Sequence, residues 1–228
     1  MSLGRIAKLN TGATIPLLGL GTWQSSPSVV KTAVKTAIAA GYRHIDTAWI
    51  YGNEKEVGEA IRESNVPREE LFVTTKLWNN SHRPQDVAPA LETSLKNLGL
   101  DYIDLYLIVE LHPENPQWEL LEFCKDKGIH VTAYSPLGST DSPLIKREEI
   151  SRIAEKHNSS NANVLIAWGQ QRGTSVIPKS VTESRIVSNF KDIELDLEDL
   201  KVLKAITQGK EPHRYCDPKT FWDIDVFN

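Results

Sequence analysis

The stretch from His44 to Ile61, HIDTAWIYGNEKEVGEAI, sets an acid, Asp46, and a phenol, Tyr51, close together in a loop that ends at Gly52. A lysine, Lys76, ends the next apolar run, Phe72-Val73-Thr74-Thr75. A phenol with an ordinary pKa of about 10 gives up its proton reluctantly near neutrality. An ammonium beside it favours the phenolate and lowers that pKa, and a carboxylate paired with the ammonium holds it in place. Asp46, Tyr51 and Lys76 brought to the ends of neighbouring strands would form a proton-donating site. The plainer alternative is a structural Asp46–Lys76 pair beside a rim tyrosine. The residue types alone leave both open.

The elements that would position these groups follow from periodicity. Lys8 to Ile15 alternates around Asn10-Thr11-Gly12, which predicts a hairpin turn. Leu17 to Trp23 reads as a buried strand. Ser26 and Pro27 open a helix with Val30, Ala33, Val34, Ala37 and Ile38 on one face, and Gly41 stops it. The strand His44-Ile45-Asp46 precedes a helix striped by Val57, Ala60 and Ile61. A strand Leu71–Lys76 precedes a helix carrying Val87, Leu91, Leu95 and Leu98. Tyr102 to Val109 is apolar on nearly every residue, as parallel strands are. A helix around Trp118–Lys127, a strand Ile129–Tyr134, helices near Glu149–His157 and Ala162–Arg172, a strand Ser175–Pro178 and a short helix ending at Asn189-Phe190 complete the series. Alternating strands and helices mean βαβ units and a parallel sheet. Polar residues at several strand ends favour a closed barrel, while the alternation alone allows an open doubly wound sheet equally.

The 228 residues, 40% hydrophobic and 25% charged, suit one soluble globular domain spanning residues 1–228. The formal net charge of -4 gives no footprint for nucleic acid or an anionic membrane. Cys124 and Cys216 are too few for a disulfide framework and suggest a reducing compartment. No run has signal-peptide or membrane-span character, so the expectation is a cytoplasmic monomer. His82, His130, His157 and His213 show no metal-ligand spacing, and no metal is expected.

Six motifs carry a resemblance. GLGTWQ, GYRHIDTAWIYGNEKEVGEAI, PREELFVTTKLW, SLKNLGLDYIDLYLI, KGIHVTAYSPLGS and VIPKSVTESRIVSNF, in this order, resemble the aldo-keto reductases, and most closely the fungal NADPH-dependent aldehyde, glycerol and xylose reductases. The likeness runs from about Lys8 to Phe190. It implies a (β/α)₈ TIM-barrel lineage that binds NADPH/NADP+ without a Rossmann fingerprint, in keeping with the absence of G-x-G-x-x-G. It implies reduction of an aldehyde or ketone, a small carbonyl substrate, to an alcohol. Tyr51 would donate the proton, and Asp46, Tyr51 and Lys76 match three of the family's four catalytic residues.

The resemblance also implies cofactor contacts. Gly21 and Thr22 fall in the first strand motif. Tyr134 matches the ring that stacks on nicotinamide, and Ser135, Leu137 and Ser139 lie in the loop that would cradle the pyrophosphate. Lys179, Ser180 and Arg185 match the clamp on the adenosine 2′-phosphate, and Asn189 matches an adenine contact. Two cations and a hydroxyl suit a dianionic phosphate, which favours NADPH over NADH. Trp23 and Trp78 stand where the family walls its substrate pocket, although core packing would account for either. Trp49, Trp118, Trp168 and Trp222 read as packing residues.

One departure stands out. The family continues D-L-Y-L-I-H-W-P, its histidine orienting the carbonyl, whereas here Asp104–Ile108 runs directly into Val109-Glu110-Leu111-His112-Pro113. V-E-L-H-P resembles a later family strand. The chain thus reads as jumping past roughly two βα units, with the histidine and a Ser-Asn/Gln carboxamide trio lost, leaving a truncated barrel of about six units. A smaller shortening follows Gly138-Ser139. His112 either takes the place of the lost histidine or is the ordinary histidine of that later strand. Two functions stay open: an active NADPH-dependent reductase, or a truncated relative that binds NADP(H) without efficient turnover. An exposed strand edge or a smaller, strained ring is the expected structural consequence.

Overall fold

The computed structural model of the chain describes residues 4–76, 84–106, 109–126, 129–139, 142–213 and 215. A hairpin comes first, β1 (Ile6–Lys8) antiparallel to β2 (Thr14–Pro16). Leu9 N donates to Ala13 O at 2.8 Å across the turn, and Gly12 takes φ 90°, which costs glycine little.

All other ladders are parallel. β3 (Leu20–Gly21), β4 (His44–Asp46), β5 (Phe72–Thr75) and β6 (Leu105–Tyr106) pair in chain order, and β7 (Val109–Glu110), β8 (Thr132–Tyr134) and β9 (Ser175–Val176) form a second sheet. The two sheets approach each other at two places, bonded at the first. At one, Leu18 bridges Val176 and Gly21 bridges Lys179, with Val176 N donating to Leu17 O at 2.7 Å and Gly19 N to Val176 O at 2.9 Å. At the other, β6 bonds to β5 and β7 to β8, although Tyr106 and Val109 are three residues apart in the chain. Residues 105–106 thus end one sheet and residues 109–110 begin the other. Among the described residues β6 and β7 are each the last strand of their own sheet. The strands run β6-β5-β4-β3 and, across the Leu18–Val176 bridges, β9-β8-β7, a barrel-lineage α/β fold among the described residues.

The helices pack around these strands. α1 (Pro27–Ala40) has proline at its first turn, buries the five apolar residues named above, and ends at Gly41, φ 109°, whose N–H closes on Ala37 O and Ile38 O. α2 (Glu54–Glu63) buries Val57, Gly58, Ala60 and Ile61. Gly58 lets α2 touch the end of α3 (Pro84–Leu98): a Cβ there would lie 1.8 Å from Leu98 O. α4 (Trp118–Asp126), α5 (Glu148–Lys156), α6 (Asn161–Gln171), α7 (Glu183–Asn189) and α8 (Leu197–Ala205) follow. Val73, Ala133 and Val176, fully buried, belong to the core between strands and helices.

Three expectations shift. β6 begins at Leu105 rather than Tyr102, because Arg68 gathers the preceding turn, donating to Tyr102 O (3.0 Å) and the Asp104 carboxylate (2.7 Å). β8 begins at Thr132 rather than Ile129. Ile129 N instead donates to Cys124 O at 2.8 Å, ending α4, and its side chain is 48% exposed. α8 lies beyond the last helix expected, and is started by a capping box in which Asp196 and Asp199 accept from each other's backbone.

Candidate active site

Register brings the candidate residues level. Gly21 pairs with Asp46 on one side and bridges Lys179 on the other, and Asp46 pairs in turn with Thr74. Lys76 follows β5, Tyr134 ends β8, and Lys179 follows β9. All lie at the C-terminal ends of parallel strands, where βα-barrels carry their sites. Gly21 has no room for a side chain, since a Cβ would meet Ile177 O at 2.7 Å.

Asp46 and Lys76 form a buried ion pair. Lys76 Nζ donates to Asp46 Oδ1 at 2.5 Å and to Thr47 O at 2.7 Å, and the two residues are 1% and 9% exposed. Tyr51 ends a single 3-10 turn, Trp49–Tyr51, closed by Gly52 at φ 65°. That turn sets the Tyr51 ring 4.6 Å from Lys76 Nζ and 4.7 Å from the Trp23 ring, tilted 58°. The fold brings Asp46, Tyr51 and Lys76 together as expected and adds Trp23 to the same cluster.

Electrostatics here oppose charge. Burial pushes the Lys76 ammonium pKa down, against the pull of Asp46, and pushes the Asp46 carboxyl pKa up, against the pull of Lys76. Asp46 Oδ2 accepts no hydrogen bond among the described residues. Deeper in the fold, His44 is held between Pro16 O and Thr74 Oγ1, each at 3.1 Å, and burial takes its pKa down to about 4. It is therefore a neutral core imidazole. A charge pair that burial disfavours on both sides adds little to stability, and sites of chemistry are where such pairs recur.

Two residues that the motif reading passed over support the cluster. Asn53, fully buried, donates through Nδ2 to Thr22 O (3.0 Å) and Ser25 O (2.9 Å) and accepts from Thr47 Oγ1 (3.1 Å). It sits at the N-cap of α2 without capping it, because its side chain ties the Tyr51 turn to the β3 end. Glu54, also buried, accepts from Thr75 Oγ1 and Asn97 Nδ2. The sequence signal available was a polar pair, Asn53-Glu54, directly after the turn glycine.

The remaining candidates lie as follows. Thr22 is buried, its N and Oγ1 both donating to Asp46 O (3.1 and 3.0 Å). The Ser135–Ser139 loop is tight: Ser135 has φ 48°, Gly138 N donates to Ser135 O at 2.9 Å, and Leu137 packs on the core. Ser180 is buried and accepts from Thr182 N at 3.1 Å, whereas Lys179 and Arg185 are exposed cations with no ion pair among the described residues. Asn189 is buried at the end of α7. His112 is fully buried in the turn after β7, its ring 5.1 Å from that of Tyr215. Trp78 lies outside the described residues. Among those described, no group of His, Cys, Asp or Glu could hold a metal ion, and no helix is long and apolar enough to cross a membrane.

The Aldo/keto reductase family profile matches residues 17–119 and 109–208, and the chain belongs to that family of oxidoreductases. It is 40% identical to glycerol 2-dehydrogenase (NADP(+)) of Saccharomyces cerevisiae over an alignment of 296 residues, covering 94% of each chain. It is 35% identical to D/L-glyceraldehyde reductase of Hypocrea jecorina over 318 residues, covering 100% of this chain and 96% of the relative. Both alignments are longer than the 228 residues of this chain. The two profile matches meet over residues 109–119, beside the Ile108–Val109 junction. Among solved structures, an aldo-keto reductase enzyme from a Medee basin deep-sea metagenome library superposes with TM-score 0.86 at 36% identity, covering 92% of this chain and 98% of the other.

Proposed function

We propose that the chain is a single-domain, NADP(H)-dependent oxidoreductase that reduces a small aldehyde or ketone to an alcohol with Tyr51 as proton donor. The observation that supports this most is the buried Lys76 ammonium, fixed by Asp46 at 2.5 Å and lying 4.6 Å from the Tyr51 ring. The nearby positive charge lowers the cost of the phenol releasing its proton, and the carboxylate keeps that charge oriented. Trp23 beside Tyr51 offers an apolar wall against which a carbonyl carbon chain could lie. The residues present fit the cofactor's phosphate chemistry, with Lys179 and Arg185 exposed and uncommitted to carboxylates among the described residues. With Ser180, they would hold a 2′-phosphate, Tyr134 and the Ser135–Ser139 loop would line the nicotinamide and pyrophosphate, and Asn189 would meet the adenine. The bound cofactor supplies the hydride.

A second reading, cofactor binding without efficient turnover, is favoured by the run of Asp104–Ile108 directly into the V-E-L-H-P segment and by His112 being packed on Tyr215. NADPH oxidation with a reactive aldehyde separates the two. Turnover that falls about 10²–10⁴-fold in Tyr51→Phe, with NADPH affinity retained, supports the reductase. Fluorescence-detected NADPH binding with no oxidation supports the second reading, and activity within a few-fold of the parent in Tyr51→Phe overturns the proton-donor assignment.

A further inference from the structure

Glu54 opens α2 and is only 3% exposed, yet no cation pairs with it among the described residues. Its partners are neutral: Thr75 Oγ1 donates to Oε1 at 2.7 Å, and Asn97 Nδ2 donates to Oε2 at 2.9 Å. Both oxygens accept a hydrogen bond, and the group lies at the first turn of α2. Thr75 precedes Lys76 on the chain, and successive side chains leave a strand on opposite sides. The Glu54 carboxylate therefore stands behind β5 while the Lys76 ammonium stands in front of it.

We propose that Glu54 is a positioning residue for the Asp46–Tyr51–Lys76 site: its buried carboxylate, fixed by Thr75 and Asn97, sets the pH at which the proton donor is lost. The inference rests on the reductase reading for its consequence, but not for its test. In a low-dielectric interior a unit charge acts well beyond contact. Asp46 alone neutralises Lys76, and Glu54 adds a net negative charge that favours protonation of both the ammonium and the phenol. It counters the burial that pushes Lys76 down. The other groups near the site are Asp46 and the neutral His44 from β4, Tyr51 from the turn before α2 and Asn97 from α3, while Lys55, exposed, and Glu56 follow Glu54 on α2. Lys31 and Lys35 of α1 are taken up by Glu59 and Glu63.

The test is a spectrophotometric titration of the Tyr51 phenolate, taken as the difference between each protein and its Tyr51→Phe version, in parent, Glu54→Gln and Glu54→Asp. Across a strand, about 10 Å at an effective dielectric of about 20, one charge moves a pKa by about one unit. Tyr51 should titrate about one unit lower in Glu54→Gln and near the parent value in Glu54→Asp. Asn97→Lys, at an exposed helix position, places a cation beside Glu54 and should reproduce the downward shift, which keeps the test available if Glu54→Gln fails to fold. Where turnover is measurable, the alkaline limb of kcat should move with the titration while NADPH affinity stays put. A Tyr51 titration unmoved in Glu54→Gln or Asn97→Lys overturns the proposal. A shifted titration in a parent that never oxidises NADPH leaves it standing and sinks the reductase reading instead.

Discussion

Removing the Asp46 charge is the most direct probe of the site. Asp46→Asn leaves the Lys76 ammonium buried, with Thr47 O at 2.7 Å as its remaining described acceptor. Lys76→Met leaves the Asp46 carboxylate buried, with Oδ2 already short of a partner. Breaking a buried pair from one side costs about 3–5 kcal/mol, because an uncompensated charge stays inside. A chain of this length loses about 2–4 °C of Tm per kcal/mol, so each single variant should melt about 6–20 °C lower. The double variant Asp46→Asn/Lys76→Met leaves no orphan charge. Its loss should fall short of the summed single losses by about 2 kcal/mol or more, within the range seen for contacting residues. The pH signs agree. Asp46, raised by burial, costs stability above its unfolded pKa, and Lys76, lowered by burial, costs stability below its own, so at neutral pH both are burdens carried by the folded chain. Urea and thermal unfolding of the four proteins measure the cycle. Losses that add to within about 0.5 kcal/mol would refute the coupling and leave two independent buried polar groups.

Two further outcomes are expected. His44, with a folded pKa of about 4 against an ordinary 6.5, binds fewer protons folded than unfolded, so stability should fall as pH drops from 6.5 towards 4, by about 3 kcal/mol at ~1.4 per unit. His44→Gln should flatten that limb in acid unfolding curves, and an unchanged limb would assign the acid sensitivity elsewhere. NADPH should bind more tightly than NADH in fluorescence titrations, with the margin narrowed in Arg185→Ala; equal affinities in the parent would remove Lys179, Ser180 and Arg185 from the phosphate clamp.

Much of the fold was legible because periodicity reports burial directly. The α1 stripe Val30-Ala33-Val34-Ala37-Ile38 is fully inside, and the Gly41 stop is an αL cap. The Asp46–Lys76 pair was legible from residue types and strand ends together. Three things were not. Pairing of Leu105-Tyr106 with β5 and of Val109-Glu110 with β8 is a long-range property, and a short, largely apolar run carries no mark of it. Asn53 and Glu54 look in sequence like an ordinary polar helix start, and only their burial shows what they hold. His112 had two readings in sequence; in the fold its ring meets Tyr215, a contact across a hundred residues that local pattern does not encode.

The seam at Gly21–Lys179 links occupancy to integrity. Gly21, Thr22, Asp46 and Lys76 lie in or just after strands of the four-stranded sheet, while Tyr134, Lys179 and Ser180 lie in or after strands of the three-stranded one. A ligand reaching from Tyr51 to Lys179 would span that seam and add a tether to halves already joined by backbone bonds and a shared core. Mass action then makes the ligand a folding partner: at a hundred times its Kd it adds about 2.7 kcal/mol to a stability of only about 5–15. For such a ligand, its concentration would bear on how long the folded chain persists.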